Sequence, residues 1–97
     1  TALFCCNDLL AIGALQAARE AGVAVPAELS IIGFDNTILS TVTNPALTTI
    51  AQPMEQMVKL VFELLISNLG DKASLKQRIV MQPELILRES TSKPAEM

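Results

Sequence analysis

The first third of the sequence alternates between short apolar runs and one long stretch rich in Ala and Leu. Leu3–Cys6 carries no charge and suits a strand that is buried on both faces, and Ser30–Phe34 forms a second such run. Between them, Asp8–Ala21 has a helix-forming composition, with Asn7 as a candidate cap and Gly22 as a stop signal. Because strands joined by a helix in this order pair in parallel, the sequence predicts an α/β fold built on a parallel βαβ unit.

The remaining residues predict a loop, a second helix and short extended segments. Pro53 is a favourable first residue for that helix, which carries charged residues at four-residue spacing opposite an apolar stripe. The stripe consists of Met54, Met57, Val58, Val61, Leu64 and Leu65. The predicted segments are a loop over Asp35–Pro45, an extended segment over Thr48–Ile50, a helix over Met54–Leu69, a polar connection over Asp71–Gln77, strands over Arg78–Met81 and Glu84–Arg88, and a frayed tail over Ser90–Met97.

Composition excludes several classes of function. The chain has no histidine, which excludes His-based catalytic triads, His metal ligation and imidazole proton transfer. Seven basic residues against ten acidic ones give a formal net charge of −3, so these residues offer no electrostatic footprint for nucleic acid. Hydrophobic residues make up 51% of the chain, which is too many for intrinsic disorder, and the apolar stretches are too short to span a bilayer. We therefore expect one compact domain, or part of a larger one.

The two cysteines, Cys5 and Cys6, are adjacent in the sequence. Neighbouring side chains on a strand point to opposite faces, so the two thiols should diverge and form no disulfide. They have no zinc-ligand spacing, we expect no cofactor or metal, and two isolated thiols favour a reducing compartment such as the cytoplasm. The sequence begins at Thr1 without an initiator Met or a signal peptide, and we expect it to be a piece of a longer protein.

The first predicted helix has two apolar faces. The face that matches a sheet consists of Leu10, Ala11, Ala14, Leu15 and Ala18, and the other carries Leu9, Ile12, Gln16, Arg19 and Glu20. Two large aliphatic residues on the second face have two explanations. They are either scattered surface residues, which are common, or part of a helix–helix contact between subunits. Because they lie in adjacent turns beside the small Gly13, we favour the subunit contact.

Polar residues follow both predicted strands of the βαβ unit. Asn7 and Asp8 leave the first strand, and Asp35 and Asn36 leave the second, so parallel pairing brings them to one edge of the sheet. Carboxylate and carboxamide groups together suit a polyhydroxylated or amide-bearing ligand. Taken singly, Asn7 is more simply a helix cap and Asp35 the start of a turn, and only their shared edge favours a ligand site.

Three enzyme-like interpretations have little support in the sequence. Asp35 follows an apolar strand as a phospho-accepting aspartate does, but no acidic pair or strand-end Lys accompanies it. Cys5 or Cys6 has no His partner to activate it as a nucleophile. A dinucleotide site is not indicated, because no G-x-G-x-x-G motif follows either strand. We therefore expect a binding module and not an enzyme.

Three separated motifs resemble the LacI/GalR family of transcriptional regulators. They are FCCNDLLAIGALQAAREAGVAVPAELSIIGFDN, NPALTTIAQP and PELILREST, and their order and spacing extend the resemblance from Thr1 to about Thr91. Periplasmic sugar-binding proteins share this fold and parts of the pattern. The resemblance implies a two-lobed, periplasmic-binding-protein-like domain, of which this chain is the C-terminal part. It implies a βαβ core of the C-terminal lobe over 1–52, a crossover helix that packs on the first lobe over 53–70, and returning strands with a tail over 71–97.

The family resemblance also implies roles for particular residues. Asn7, Asp35 and Gln52 would contact a small effector, with Gln52 reaching in from the crossover between the lobes. The residues of the dimer contact would be Leu9, Ile12, Gln16, Leu39 and Val42. Operator DNA would be bound only by a helix-turn-helix segment that lies outside this sequence. Cys6 stands where the family often has a small residue.

The resulting prediction is an effector-binding and dimerisation module of a DNA-binding regulator. The alternative is a periplasmic sugar-binding protein of a transport system, and the N-terminal segment of the complete protein separates the two. The effector predicted from the family is a sugar or a sugar phosphate, and a nucleobase is an open alternative. If the first lobe is absent, we expect the apolar stripe of the second helix to be hidden by helix exchange with a second copy or by other self-association.

Overall fold

The computed structural model describes residues 1–69 and 78–95, and the predicted polar connection Asp71–Gln77 lies outside them. Its elements in chain order are β1 (Ala2–Phe4), α1 (Asp8–Glu20), β2 (Ser30–Ile32), α2 (Leu39–Val42), β3 (Thr49–Ala51), α3 (Met54–Ser67) and β4 (Glu84–Ile86). The short helix α2 lies inside the segment that the sequence predicts to be an irregular loop. The other elements fall where the sequence predicts them, within a few residues at each end.

The βαβ unit has the predicted parallel arrangement. Strand β1 pairs with β2 in parallel, with Leu3 opposite Ile31, and α1 connects them and packs on β2. Past the ends of the pair, the Cys5 amide donates to the Ile32 carbonyl at 2.8 Å and the Asp8 amide to the Phe34 carbonyl at 2.9 Å. The α/β fold class is therefore confirmed, and both strands end at the same edge of the sheet.

Strand β3 extends this arrangement on the other side of β2. A parallel bridge joins Ile32 to Thr48, and the amides of Gly33 and Asp35 donate to the carbonyls of Thr48 and Ile50, both at 2.9 Å. Strand β4 then pairs with β3 in antiparallel fashion. Three strands, β1, β2 and β3, consequently run in the same direction, and their carboxyl ends lie along one edge.

A small core fills the space between α1 and the sheet. Its buried apolar side chains are Cys5, Ala11, Leu15, Ala18, Ile31 and Leu47. Leu10, which the sequence assigns to this face, is more than half exposed, and the buried residue of the first turn is Asp8. The assignment of Leu10 was wrong because hydrogen bonds draw the Asp8 carboxylate inward and thereby set how α1 lies on the sheet.

The sequence predicts that the first strand is buried on both faces, and β1 is not. Leu3 and Phe4 are exposed, and within the described residues only β2 pairs with this strand. A strand is buried on both faces only when helices cover both faces of its sheet, and in the described part of the chain α1 is the helix that packs on this sheet. Cys5, just beyond the strand, is buried because it faces α1.

The residues after β4 are anchored and are not a frayed tail. The hydroxyl of Ser90 donates to the Ile31 carbonyl at 2.6 Å and accepts from the Thr48 amide at 2.8 Å. The Ser92 amide donates to the Ser30 hydroxyl at 3.1 Å. The prediction of a frayed tail over Ser90–Met97 was wrong for its first residues. Their hydroxyl side chains make the anchoring hydrogen bonds, and such bonds leave no strand pattern in the sequence.

Helix α3 stands apart from the sheet. None of its residues is buried, and the chain extends 60 × 25 × 17 Å with a radius of gyration of 18.3 Å. A compact chain of this length has a radius of gyration of about 13 Å. Arg78–Met81 is not a strand, contrary to the prediction, because no other described segment pairs with it.

Candidate functional site

The sheet edge formed by the ends of β1, β2 and β3 carries one polar residue after each strand. Asn7 follows β1, Asp35 follows β2, and Gln52 follows β3. The Gln52 side-chain amide donates to Oδ1 of Asp35 at 2.8 Å. The structure thus brings together the three residues that the sequence predicts to contact a ligand, while their contact with a ligand remains a prediction. We call these three residues the ligand edge.

Asn7 caps α1 as its sequence position suggests. Its backbone is extended, and Oδ1 accepts a hydrogen bond from the Leu10 amide at 2.8 Å. Among the described residues, nothing accepts a hydrogen bond from Nδ2 of Asn7. The cap therefore fixes the side-chain orientation and leaves an amide donor available at the ligand edge.

The loop that carries Asp35 has an unusual backbone conformation. Asp35 has φ of 112°, a conformation that non-glycine residues enter at a cost of roughly 1–3 kcal/mol, and Asn36 has φ of 53°, in the left-handed region that Asn adopts readily. Backbone donors hold the loop in place: the Asp35 amide bonds Ile50, and the Asn36 amide bonds Oγ1 of Thr49 at 3.2 Å. Asp35 does not bond to its own turn; its carboxylate contacts Gln52 and is otherwise exposed.

A buried carboxylate lies beneath this loop. Asp8 is 1% exposed and accepts hydrogen bonds from the Thr37 amide at 2.6 Å, the Thr37 hydroxyl at 2.9 Å and the Thr49 hydroxyl at 2.6 Å. Gly33 packs against it so closely that an added Cβ would collide with the Asp8 carboxylate and lie 2.9 Å from Leu47 Cδ2. Asp8 therefore supports the ligand edge from inside.

Sequence reasoning named Asp8 at this edge without its buried role, and it missed Arg88. Its guanidinium donates to the Ser40 hydroxyl at 2.7 Å, the Leu47 carbonyl at 2.8 Å and the Asn36 carboxamide oxygen at 2.7 Å. These partners lie 41 to 52 positions away in the sequence. The single available signal was an Arg inside the motif PELILREST, which has no local partner.

The ligand edge borders an apolar groove. Phe34, Gln52 and Pro53 line a cavity of about 350 Å³ together with apolar residues of α3 and the segment before β4. The site thus combines one carboxylate, two carboxamides and an apolar wall, which suits a small polar ligand with an apolar face. Nothing in residues 1–69 and 78–95 gathers three side chains able to hold a metal ion.

The cysteines next to this edge differ in environment. Burial, and secondarily the neighbouring Cys6, raises the pKa of the Cys5 thiol, so that Cys5 stays protonated and unreactive at neutral pH. Cys6 is exposed, and both thiols are free as predicted, although they lie just after β1 and not on a strand.

The residues predicted to form a subunit contact lie on one surface of α1 and α2. Leu9 is 71% exposed and Val42 is 73% exposed, Leu39 is also exposed, and Ile12, Gln16 and Val42 line one shallow depression between the helices. Ile38 extends the surface and is 82% exposed, although the sequence did not single it out. Ile12, Gln16 and Val42 are thus contiguous, the other residues are exposed on the same two helices, and the role of the surface in dimerisation remains a prediction. We call this surface, formed by Leu9, Ile12, Gln16, Ile38, Leu39 and Val42, the α1/α2 surface.

Comparison with known proteins extends these observations. Residues 1–91 match the model of the periplasmic binding protein-like domain. The HTH-type transcriptional regulator DegA of Bacillus subtilis is 50% identical over 92 residues, which are 95% of this chain and 27% of that protein. The chain therefore spans about a quarter of the length of this relative.

Solved structures of regulators have the same fold. A periplasmic binding protein/LacI transcriptional regulator from Alkaliphilus metalliredigens, complexed with D-xylulofuranose, is 37% identical with a TM-score of 0.84, over 94% of this chain and 34% of that one. The lac repressor dimer bound to operator is 32% identical with a TM-score of 0.83, over 94% of this chain and 32% of that one.

Proposed function

Because the chain belongs to the LacI/GalR family of transcriptional regulators, as part of their periplasmic binding protein-like effector domain, we propose that it binds a small polyhydroxylated effector at the ligand edge. Asp35 accepts hydrogen bonds from effector hydroxyls, Asn7 offers an amide donor, and Gln52 orients the Asp35 carboxylate. The observation that carries the proposal is the position of these three residues after three parallel strands that end at one edge, with Gln52 bonded to Asp35. The α/β ligand rule places binding sites at such an edge.

The chemistry of the edge favours a sugar. Asp35 Oδ1 is engaged by Gln52, and among the described residues Oδ2 has no donor, so one carboxylate oxygen is free for a hydroxyl group. The half-buried Phe34 beside Gln52 provides an apolar surface for the C–H face of a ring. The related regulator complexed with D-xylulofuranose is consistent with a ligand of this class.

The regulatory step requires a second lobe. We propose that residues 53–70 cross to that lobe and that α3 packs on it, which is supported by the absence of any buried residue in α3. An effector that contacts Asp35 on one lobe and other groups across the cleft stabilises one lobe orientation over another. The effector can shift the balance between the two orientations by at most the difference in its binding free energy for them, and operator affinity changes with that balance.

The assembly proposed for the complete protein is a homodimer through the α1/α2 surface, with DNA bound by a segment outside this sequence. The exposed aliphatic residues of α1 and α2 support the dimer, and the formal charge of −3 agrees with DNA binding elsewhere. Within the described residues, neither long helix has the length and apolarity needed to cross a membrane. We propose a cytoplasmic regulator without enzymatic activity, and the regulators found as relatives favour this over a transport protein.

Calorimetry of the natural full-length protein that contains this sequence tests the proposal. The ligands are D-xylulose, ribose, glucose, cellobiose and a nucleobase. The variants are Asp35→Asn, which keeps the shape of the side chain, and Asp35→Gly, which adopts the positive φ of this position without cost. Loss of the charge-assisted hydrogen bond should weaken binding by about 1.5–3 kcal/mol, or roughly 10- to 150-fold.

The matched control is Glu28→Ala, which removes an exposed carboxylate before β2, at the opposite end of that strand from Asp35. We expect this variant to bind the ligand as the wild type does. Equal affinity of wild type and both Asp35 variants would remove Asp35 from the site. Failure of every ligand in the panel to bind would contradict the proposed ligand class.

A further inference from the structure

The side chain of Arg88 connects two surfaces that the proposed function treats separately. One of its terminal nitrogens donates to the Asn36 carboxamide, beside the ligand edge, and the other donates to the Ser40 hydroxyl within α2. Ser40 is fully buried between the exposed Leu39 and Val42 of the α1/α2 surface. A planar guanidinium holds both acceptors in one fixed geometry, which an ammonium group cannot reproduce.

The loop between these surfaces is short and fixed at each residue. Asn36 directly follows the proposed effector contact Asp35, and its carboxamide oxygen lies 3.4 Å from the Ser40 hydroxyl oxygen. The next residue, Thr37, is held by Asp8 and accepts a hydrogen bond from the Ser40 hydroxyl at 2.6 Å through its carbonyl oxygen. A displacement of Asp35 therefore reaches Ser40 through side-chain contacts as well as through the backbone.

We propose that Asn36 and Arg88 are positioning residues that couple the ligand edge to the α1/α2 surface. The inference rests on the proposed function. An effector that binds Asp35 changes the hydrogen bonds that connect Asn36 and Arg88 to Ser40, and these bonds in turn determine the order of α2. By reciprocity, contacts of Leu39 and Val42 with a second subunit change the affinity of the effector.

Hydrogen exchange of the natural full-length protein, followed by mass spectrometry, tests this coupling. The observed peptide covers residues 39–43, where the Ser40 and Thr41 amides bond to the Thr37 and Ile38 carbonyls at 3.0 and 3.1 Å. The probe is whichever of D-xylulose, ribose, glucose, cellobiose and the nucleobase binds, at a saturating concentration for each variant. In the wild type, the ligand should slow exchange of this peptide about tenfold.

The decisive variant is Asn36→Gly. Glycine keeps the positive φ of 53° at low cost and removes only the carboxamide. We expect the ligand to slow exchange of residues 39–43 by less than about threefold in this variant, because the link to Arg88 is lost. Asn36→Asp retains an oxygen acceptor and should restore the tenfold effect, and Arg88→Lys should behave as Asn36→Gly does.

Ser92→Ala is the structural control. It removes side-chain hydrogen bonds from the same C-terminal segment without touching the loop, since the Ser92 hydroxyl donates to the Pro26 and Lys93 carbonyls. This variant should retain the tenfold effect even if its melting temperature falls. If Asn36 has only a structural role, the ligand should slow exchange of residues 39–43 by the same factor in Asn36→Gly and in Ser92→Ala. That result would overturn the inference.

The remaining outcomes separate this inference from the proposed function. If a ligand binds but does not slow exchange of residues 39–43 in the wild type, the coupling is refuted and the ligand site stands. If no ligand in the panel binds, the proposed function fails. The exchange rates of the ligand-free proteins then test whether Asn36 and Arg88 hold Ser40. In that case, exchange of residues 39–43 should be about tenfold faster in Asn36→Gly than in Ser92→Ala, and equal rates would overturn the link.

Discussion

At the scale of single residues, Asp8 determines the shape of the ligand edge without belonging to it. Its carboxylate joins α1, the loop after β2 and the first residue of β3 through Thr37 and Thr49. A buried charge is costly unless hydrogen bonds satisfy it, and here three donors do so. The same bonds fix the Thr37 backbone and thereby hold Asp35 in its unfavourable conformation.

Replacing Asp8 by Ala should destabilise the protein by about 3 kcal/mol, since the buried Thr49 hydroxyl and the amide and hydroxyl of Thr37 lose their acceptor. Urea unfolding of the full-length protein followed by circular dichroism measures this change. Glu28→Ala, which removes an exposed carboxylate, should stay within about 0.5 kcal/mol of the wild type. Equal unfolding midpoints for the two variants would show that Asp8 does not support the loop.

Gly33 and Gly13 should respond in opposite directions to substitution by Ala. At Gly33, a Cβ would collide with the Asp8 carboxylate and crowd Leu47, so we expect a loss of about 1–3 kcal/mol. At Gly13, an exposed position inside α1 with no atom within 4 Å, Ala should stabilise by about 0.5–1 kcal/mol. Urea midpoints of the two variants provide the measurement, and a stabilised Gly33→Ala would contradict the close approach.

The residue-scale predictions from sequence succeeded where the partner is near in the chain. Asn7 caps a helix through an amide three residues away, which a local pattern reveals. Asp8 and Arg88 bond to residues between 29 and 52 positions distant, and no periodicity or motif specifies such partners. The shared edge of Asn7 and Asp35 was still predictable, because parallel pairing alone requires it.

At the scale of elements, α1 and α2 combine a buried face with an exposed apolar one. The buried face of α1 packs on β2, while Leu9 projects from the opposite side next to α2. Periodicity predicts these two faces of α1 correctly apart from Leu10. It could not predict α2, because a single helical turn has too few residues to show a period.

The exposed face leads to a prediction about dimerisation of the full-length protein. Leu9→Glu and Val42→Glu should each weaken the dimer by at least tenfold, because a charge would be buried in an apolar contact. Sedimentation velocity over a concentration series measures the dissociation constant. The matched control is Leu10→Glu, which makes the same change at the next position of α1, where the side chain is also exposed but points away from the α1/α2 surface.

At the scale of the whole molecule, the elongated shape follows from α3. The sequence predicts one apolar stripe on this helix, yet Leu60, Phe62 and Ile66 make it apolar around most of its circumference. Met57 and Leu64 face the groove beside residues 79–83, while Phe62 is 60% exposed on the other side. A helix of this kind is stable in water only when other protein surface covers it, so its environment could not be predicted from this sequence alone.

The 97-residue polypeptide on its own should therefore self-associate through α3. Val58, Val61, Phe62 and Leu65 are each more than half exposed, and at ~25 cal/mol per Å² their burial in a second copy is worth several kcal/mol. Light scattering over a concentration series should show dimers or larger species, whether the helices exchange or pair face to face. Phe62→Lys should shift the distribution towards monomer, whereas Gln56→Lys adds the same charge about 120° further around α3, next to Lys59 and Glu63, and should not. A folded monomer of the unsubstituted polypeptide at high concentration would show that α3 tolerates water and that its apolar surface needs no partner.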